Sequence, residues 1–299
     1  MYHIPVLLSE SLNALNLTEN GFFADLTFGG GGHSKAILEK ISHGKLYAFD
    51  QDEDAQEQAL KIENPNFIFI KSNFRYLKKF LKLYKAPLLD GILVDLGVSS
   101  HQIDKPERGF MFRNDAPLDM RMNQDSDFTA KELLETYTES QLHKIFGMYG
   151  EIKNAKSLAQ GIISARVRKP LETTNELVNV LNKFAPKHQE YKYFAQVFQA
   201  LRIEVNDEMK ALEEMLLEIP HILKQGGRFV ALSYHSLEDR MVKNFMQTGK
   251  IFGEEEKDFF GNSLNPLKNL TKKPIIASEQ EIAINNRARS AKLRIAEKK

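Results

Sequence analysis

The run Asp25-Leu26-Thr27-Phe28-Gly29-Gly30-Gly31-Gly32-His33-Ser34 sets four consecutive glycines between an apolar strand-like stretch and a helix-like one. A chain without Cβ atoms turns where other residues collide, so a flat ligand can lie directly against the backbone. The spacing excludes two familiar uses of such a loop. A dinucleotide fingerprint starting at Gly29 or Gly30 needs glycine at Ser34 or Lys35, and a P-loop needs a Gly-Lys-Ser/Thr that does not follow. A glycine-rich turn without a ligand is the bland alternative.

Carboxylates recur at the ends of the apolar runs that come next. Lys45-Leu46-Tyr47-Ala48-Phe49-Asp50 reads as a short strand ending in an acid, about 20 residues past the glycines, where nucleotide folds keep the group that holds ribose hydroxyls. Leu89-Asp90-Gly91-Ile92-Leu93-Val94-Asp95 ends the same way. Ligands of open α/β sheets bind at the carboxyl edge, so Asp25, Asp50 and Asp95 are expected on one pocket rim. Asp52 and Asp54 alternate with Asp50, but a calcium loop's glycine and glutamate positions hold Ala55 and Lys61. They read as solvated acids at a helix start, and no metal site is expected.

These groups need a sheet to position them. Buried strands are expected at 45–50, 66–70, 89–95 and 227–234, with weaker ones at 275–277 and 292–295. Between them strand signals stop, and helical patterns occupy 130–136, 139–146, 151–167 and 175–184. An amphipathic helix at 206–223 leads into the returning strand. The reading is an α/β domain at 1–102 and 206–299, interrupted by an all-helical domain at 103–205.

Composition narrows the class. With 299 residues, 42% hydrophobic and 27% charged, the chain suits one large or two ordinary globular domains. The absence of cysteine excludes disulfides and thiolate metal sites and agrees with a reducing compartment. No basic leader precedes an apolar core at the N-terminus, and no run reaches the ~18 apolar residues of a membrane helix, so no membrane partner and a cytoplasmic location are expected. A net charge of +1 means that a nucleic-acid partner must be argued from local clusters. One cluster is 71–85, with six basic residues, no acid, and Phe74, Leu77, Leu81 and Tyr84 at the spacing of a buried stripe. The other holds Arg287 and Arg289 on a loop before a strand-like tail, suited to gripping phosphate or to salt bridges with Glu279 or Glu281.

Several blocks together carry a resemblance: His3-Ile4-Pro5-Val6-Leu7-Leu8, the Thr27 to Ser34 loop, Asp95-Leu96-Gly97-Val98-Ser99-Ser100, Arg108-Gly109-Phe110, Pro117-Leu118-Asp119-Met120-Arg121-Met122, Phe198-Gln199-Ala200-Leu201-Arg202-Ile203, Ser233-Tyr234-His235-Ser236-Leu237-Glu238-Asp239-Arg240 and Arg287-Ala288-Arg289-Ser290. In this order, nearly end to end, the chain resembles the MraW family, the bacterial ribosomal RNA small subunit methyltransferases H. Gly30, often a larger residue in the family, and Tyr234, often phenylalanine, depart from its pattern. The resemblance implies a class I S-adenosylmethionine-dependent methyltransferase with a Rossmann-like, seven-stranded, mostly parallel sheet and a helical insertion that helps recognise substrate. It implies methylation of the exocyclic N4 of a decoding-region cytosine in 16S rRNA of the small ribosomal subunit.

Site roles follow as expectations. Gly31, Gly32 and His33 would approach the cofactor's methionine part, Asp25 its ammonium and Asp50 its ribose hydroxyls. Phe74 would lie on the adenine or be a core aromatic, and His33 would contact the cofactor or cap a helix. Asp95 and Gln102 fall at cofactor positions by resemblance. Arg287, Arg289, Arg121 and Arg113 are the candidates for RNA contact. An aromatic amine attacks a methyl group only with an acceptor pulling on its hydrogens and in-line placement. The Asp-Pro-Pro-aromatic type of loop that supplies this in many amino-methylating enzymes is replaced here by Asp95-Leu96-Gly97-Val98. Ser233, Tyr234 and His235 are therefore the catalytic candidates, with His235 accepting a proton and Tyr234 stacking on an extracted cytosine. The competing reading has Ser236 as an N-cap, with His235 and Glu238 fastening the helix start. Two other classes stand beside the enzyme: a nicotinamide dehydrogenase, disfavoured by the missing third glycine, and a non-catalytic RNA-binding protein on the same fold.

Overall fold

A computed structural model describes residues 5–299; His3 and Ile4, which open the first resemblance block, lie outside them. In chain order the elements are α1 (Leu8–Leu15), β1 (Phe22–Asp25), α2 (Gly32–Leu38), β2 (Lys45–Asp50), α3 (Glu53–Ala59), β3 (Phe67–Lys71), α4 (Leu77–Leu83), β4 (Leu89–Asp95) and α5 (Ser100–Asp104). Helices α6 (Ala130–Thr136), α7 (Glu139–Met148), α8 (Ala155–Arg168), α9 (Thr174–Leu181), α10 (Glu190–Val205) and α11 (Glu208–Ile222) follow. Next come β5 (Leu223–Ser233), α12 (Ser236–Thr248), β6 (Leu267–Asn269), α13 (Glu279–Ile284) and β7 (Lys292–Lys298). Two compact units result, 5–97 with 209–299, and 98–208. The second is slightly wider than the expected 103–205, because α5 and its Ser99 cap already belong to it.

In the first unit seven strands, among the described residues, pair in the order β3-β2-β1-β4-β5-β7-β6. The first five run parallel, and β7 lies antiparallel between β5 and β6. The runs are apolar on both faces because both faces are covered. Ile92, Val94 and Phe229 pack with Leu216, Ile219 and Phe245 of α11 and α12, while Phe23, Leu93 and Leu232 pack with Leu15 of α1 and Ile37 of α2. Register sets Asp25 beside Ala48 and Leu93, Asp50 beside Lys71, and Asp95 beside Leu232. Three acids thereby end three neighbouring parallel strands.

The second unit is helical, around Phe146, Leu158, Leu177 and Phe198. Its helices start where the sequence supplies reciprocal caps: Thr129 with Glu132, Thr138 with Gln141, and Thr173 with Glu176. Among the described residues of either unit, no helix is long and apolar enough to cross a membrane.

Several elements differ from expectation. Helices α1, α5, α10 and α13 and strand β6 lie outside the elements expected from the sequence. Strand β5 starts at Leu223 rather than 227 and ends at Ser233, leaving Tyr234 in the turn. Residues 275–277 form no strand, only a bridge from Ile275 to Leu293 of β7. In the basic segment, Leu77 and Leu81 are buried but Tyr84 is exposed, because α4 ends at Leu83.

Candidate active site at the carboxyl ends of the parallel strands

The glycine loop is held by backbone and by carboxylates from its own and the adjoining strand. Gly31 takes φ +77° and donates its N–H to Phe28 O at 2.7 Å, and a Cβ there would stand 2.6 Å from the Phe28 ring. One on Gly32 would meet Pro5 Cγ at 2.3 Å. The glycines are therefore required by close approach, and Gly31 is the N-cap of α2, which has no side-chain cap.

Asp50 accepts the Gly29 N–H on Oδ2 at 2.8 Å and the Asp52 N–H on Oδ1 at 2.9 Å, so each oxygen keeps a second lone pair. Burial pushes its carboxyl up to about 6 against those two hydrogen bonds. Asp52 is the N-cap of α3, accepting the Asp54 N–H at 3.0 Å; it is buried rather than solvated as expected, since capping turns it inward. Asp25 is buried deeper. Its Oδ2 accepts the Ser34 hydroxyl at 2.6 Å and its Oδ1 the Thr27 N–H at 3.2 Å, and burial raises its carboxyl despite His33 and Ser34. That geometry fastens the loop to the first turn of α2.

Asp95 is the meeting point of the site. Its N–H donates to Thr27 Oγ1 at 2.7 Å, and its Oδ1 accepts the Tyr234 hydroxyl at 2.7 Å. Its Oδ2 lies 3.9 Å from His33 Nδ1. Burial raises its carboxyl to about 6, with His33 and Tyr234 opposing and Asp25 and Glu238 adding to the rise. His33 caps no helix: its Nε2 donates to Val6 O at 3.2 Å, which leaves Nδ1 facing Asp95. Thr27 went unnoticed as a site residue, because its role is set by the neighbouring strand.

Ser233, Tyr234 and His235 stand where β5 turns into α12. Ser233 is buried beside Lys292 of β7. Tyr234 turns its hydroxyl to Asp95, and burial, followed by the Asp95 carboxylate, pushes the phenol well above its usual range. Its ring packs against the core of Leu93 and Leu232, so it stands as a support for Asp95 rather than the open stacking face expected. The N-cap of α12 is His235, not Ser236: Glu238 N–H reaches His235 Nδ1 at 3.4 Å, and Glu238 Oε2 accepts the N–H groups of Tyr234 and His235 at 2.9 and 3.3 Å. Facing an N–H donor, Nδ1 holds the lone pair and Nε2 the proton, 3.0 Å from Glu238 Oε1. The Nδ1 lone pair is thus turned to the backbone of α12.

Phe74 opens a one-turn 3-10 helix after β3, half-buried against the core that includes Phe49. Gln102, Arg113 and Arg121 belong to the second unit. Gln102 closes the α5 capping box, its Oε1 accepting the Ser99 N–H at 3.0 Å. Arg113 is exposed. Arg121 clamps its own loop: Nε and Nη2 grip Asp119 at 2.8 and 2.7 Å, and Nη1 donates to Gln124 O and Ser126 O. Arg287, half-buried, and Arg289, exposed, lie on a 3-10 helix instead of a loop.

A loop that a Cβ would obstruct, a carboxylate with spare lone pairs one strand away, and two further acids, Asp25 buried and Asp95 half-buried, suit a ligand with vicinal hydroxyls and positive charge. S-adenosylmethionine carries both, and the donor set fits it. The comparisons agree. A protein of Cytophaga hutchinsonii named ribosomal RNA small subunit methyltransferase H is 55% identical over 298 residues, covering 100% of both chains. Its namesake in Bacteroides fragilis is 51% identical over 299 residues, covering 100% of this chain and 98% of its own. The profile of the MraW methylase family matches residues 1–299, and the chain belongs to that family as an S-adenosylmethionine-dependent methyltransferase.

Proposed function

We propose that this methyltransferase acts on 16S rRNA of the small ribosomal subunit, at the exocyclic N4 of a decoding-region cytosine. The relatives' shared name supports the subunit, and the family resemblance supports the atom. The observation that carries the chemistry is Asp95 at the end of β4, a carboxyl that accepts the Tyr234 hydroxyl and faces His33, and that burial raises to about 6 against both. An exocyclic amine delocalises its lone pair into the ring, and an ionised acceptor on its hydrogen returns that pair to nitrogen. Asp95 is suited to accept this hydrogen, whereas the His235 lone pair faces the N–H of Glu238. Asp50 holds the ribose hydroxyls of the cofactor, and Gly31 and Gly32 let its methionine part approach the backbone. When bound, S-adenosylmethionine supplies the sulfonium methyl group. Arg289, exposed near the start of β7, and Arg287 beside it are the candidates for phosphate contact, and the second unit for substrate recognition.

The test is transfer of labelled methyl from S-adenosylmethionine to small subunits lacking the modification, followed by nucleoside analysis. N4-methylcytidine is the expected product. Label in another nucleoside, at carbon 5 of cytosine, or nowhere would sink the proposal.

A further inference from the structure

The segment between α12 and β6 ends in an aromatic tip that the reaction does not use. Phe259 and Phe260 are 98% and 85% exposed, their rings 5.7 Å apart and nearly perpendicular. Phe252 and Leu264 add exposed apolar surface below them. The tip is built rather than loose. Asp258 accepts the N–H groups of Phe260 and Asn262 at 2.8 Å each and the Asn262 amide at 2.9 Å, and Gly261 turns the chain at φ +85°. A bridge from Lys257 to Ser263, the Leu264 N–H on Glu256 O, and the pair of Lys250 with Glu256 close its base. Two rings held rigidly in water cost little ordering entropy when a partner covers them.

Charge selects the partner. From Phe252 to Leu264 four acids, Glu254, Glu255, Glu256 and Asp258, stand against one lysine, Lys257. An RNA backbone would be repelled here. Proteins seated on RNA carry basic surfaces to neutralise phosphate, and apolar pockets among those cations complement acids around aromatic anchors. We propose that residues 252–264 form a docking tip for a basic protein of the small ribosomal subunit. A second copy of the chain offers its own basic segment, 71–85, but α4 flanks β3 at one sheet edge and the tip precedes β6 at the other. Contacts between opposite edges propagate into open chains of molecules.

The inference rests on the small subunit being the substrate, and the experiment separates the two. Full-length Phe259→Ala/Phe260→Ala should bind small subunits about tenfold more weakly, with a matching rise in KM. Its kcat, its cofactor affinity and its binding to protein-free 16S rRNA should stay unchanged. Glu254→Lys, at an exposed position, should also weaken subunit binding, whereas a tip that touched RNA would bind more tightly. Equal losses on subunits and protein-free RNA would overturn the proposal, as would unchanged subunit binding in both variants. A variant that alters only self-association in sedimentation would overturn it in favour of a second copy. A parent chain that binds subunits without methylating them overturns the proposed activity alone, since docking is still read by binding. One that does not bind them overturns both.

Discussion

Two strand-to-helix turns lie at the same sheet edge and meet their backbone needs in opposite ways. After β5 the turn satisfies itself: His235 caps α12, and Glu238 three residues on accepts the N–H groups of Tyr234 and His235. After β1 the turn has no cap of its own, and Asp50 comes from the next strand to accept the Gly29 N–H. A self-satisfied turn has little backbone polar capacity left for a ligand. One served from elsewhere brings carboxylates with spare lone pairs to the ligand's position. The first turn is thus the place proposed for the cofactor, and the second holds Tyr234 against Asp95.

The comparison breaks most severely at Gly31. Gly31→Val forces a β-branched residue to φ +77° and drives its Cβ toward the Phe28 ring. Left-handed strain and overpacking together should cost about 3–4 kcal/mol of stability and abolish cofactor binding. Urea denaturation and calorimetry read both; near-parental values in each would show that the loop does not need glycine there.

Acidity separates the turns next. Asp50 and Asp95 titrate at about 6 instead of 3.8. A folded-state pKa above the unfolded one adds stability that is complete below the unfolded value and is lost as pH rises through about 6. At about 1.4 kcal/mol per pH unit, this amounts to about 3 kcal/mol per carboxylate at most. Ligand-free protein should therefore lose this contribution between about pH 4 and pH 7, and Asp50→Asn should flatten the loss. Cofactor affinity should run the other way and fall below about pH 6, because the ionised acids hold the ligand. A mutant stability curve parallel to the parent's would count against a raised Asp50.

At fixed pH, Asp50→Ala should weaken cofactor binding by about 1.5–3 kcal/mol, the worth of charged hydrogen bonds to the ribose diol. Calorimetric titration of the folded mutant decides this. Unchanged affinity would remove Asp50 from the pocket.

How far the sequence discloses the site follows the same division. The glycine loop, Asp50 and Asp95 are legible because local residue types and strand ends fix them: only glycine fits the turn, and an acid after an apolar run falls at the sheet edge. Ser/Thr-x-x-Glu/Gln boxes mark helix starts for the same local reason. Helix α10 escapes because its N-cap Gln189 makes no side-chain bond and aromatic and branched residues crowd its core face. Strand β6 has three residues, too few for any period. The roles of Thr27, Asp25 and Arg121 depend on a neighbouring strand, on the Ser34 hydroxyl of α2 and on loop carbonyls respectively, and no repeat period encodes them. Asp52 looked solvated because its type favours water, and its capping bond buries it.

The smallest expected effect tests the self-satisfied turn. His235→Ala removes the ring that receives the Glu238 N–H but leaves Glu238 to bind the backbone of Tyr234, so stability should fall by about 1 kcal/mol, the usual worth of an N-cap. Cofactor affinity should not change, since the ring serves α12 and not the glycine loop. If the His235 ring were the proton acceptor for the target amine, kcat would collapse in this mutant and the acidic limb of the pH–rate profile would disappear with it. If Asp95 is the acceptor, that limb should persist near pH 6 with kcat only slightly reduced, and Asp95→Asn should remove it. Methyl transfer to small subunits across pH, for both mutants beside the parent, therefore assigns the proton acceptor to one turn or the other.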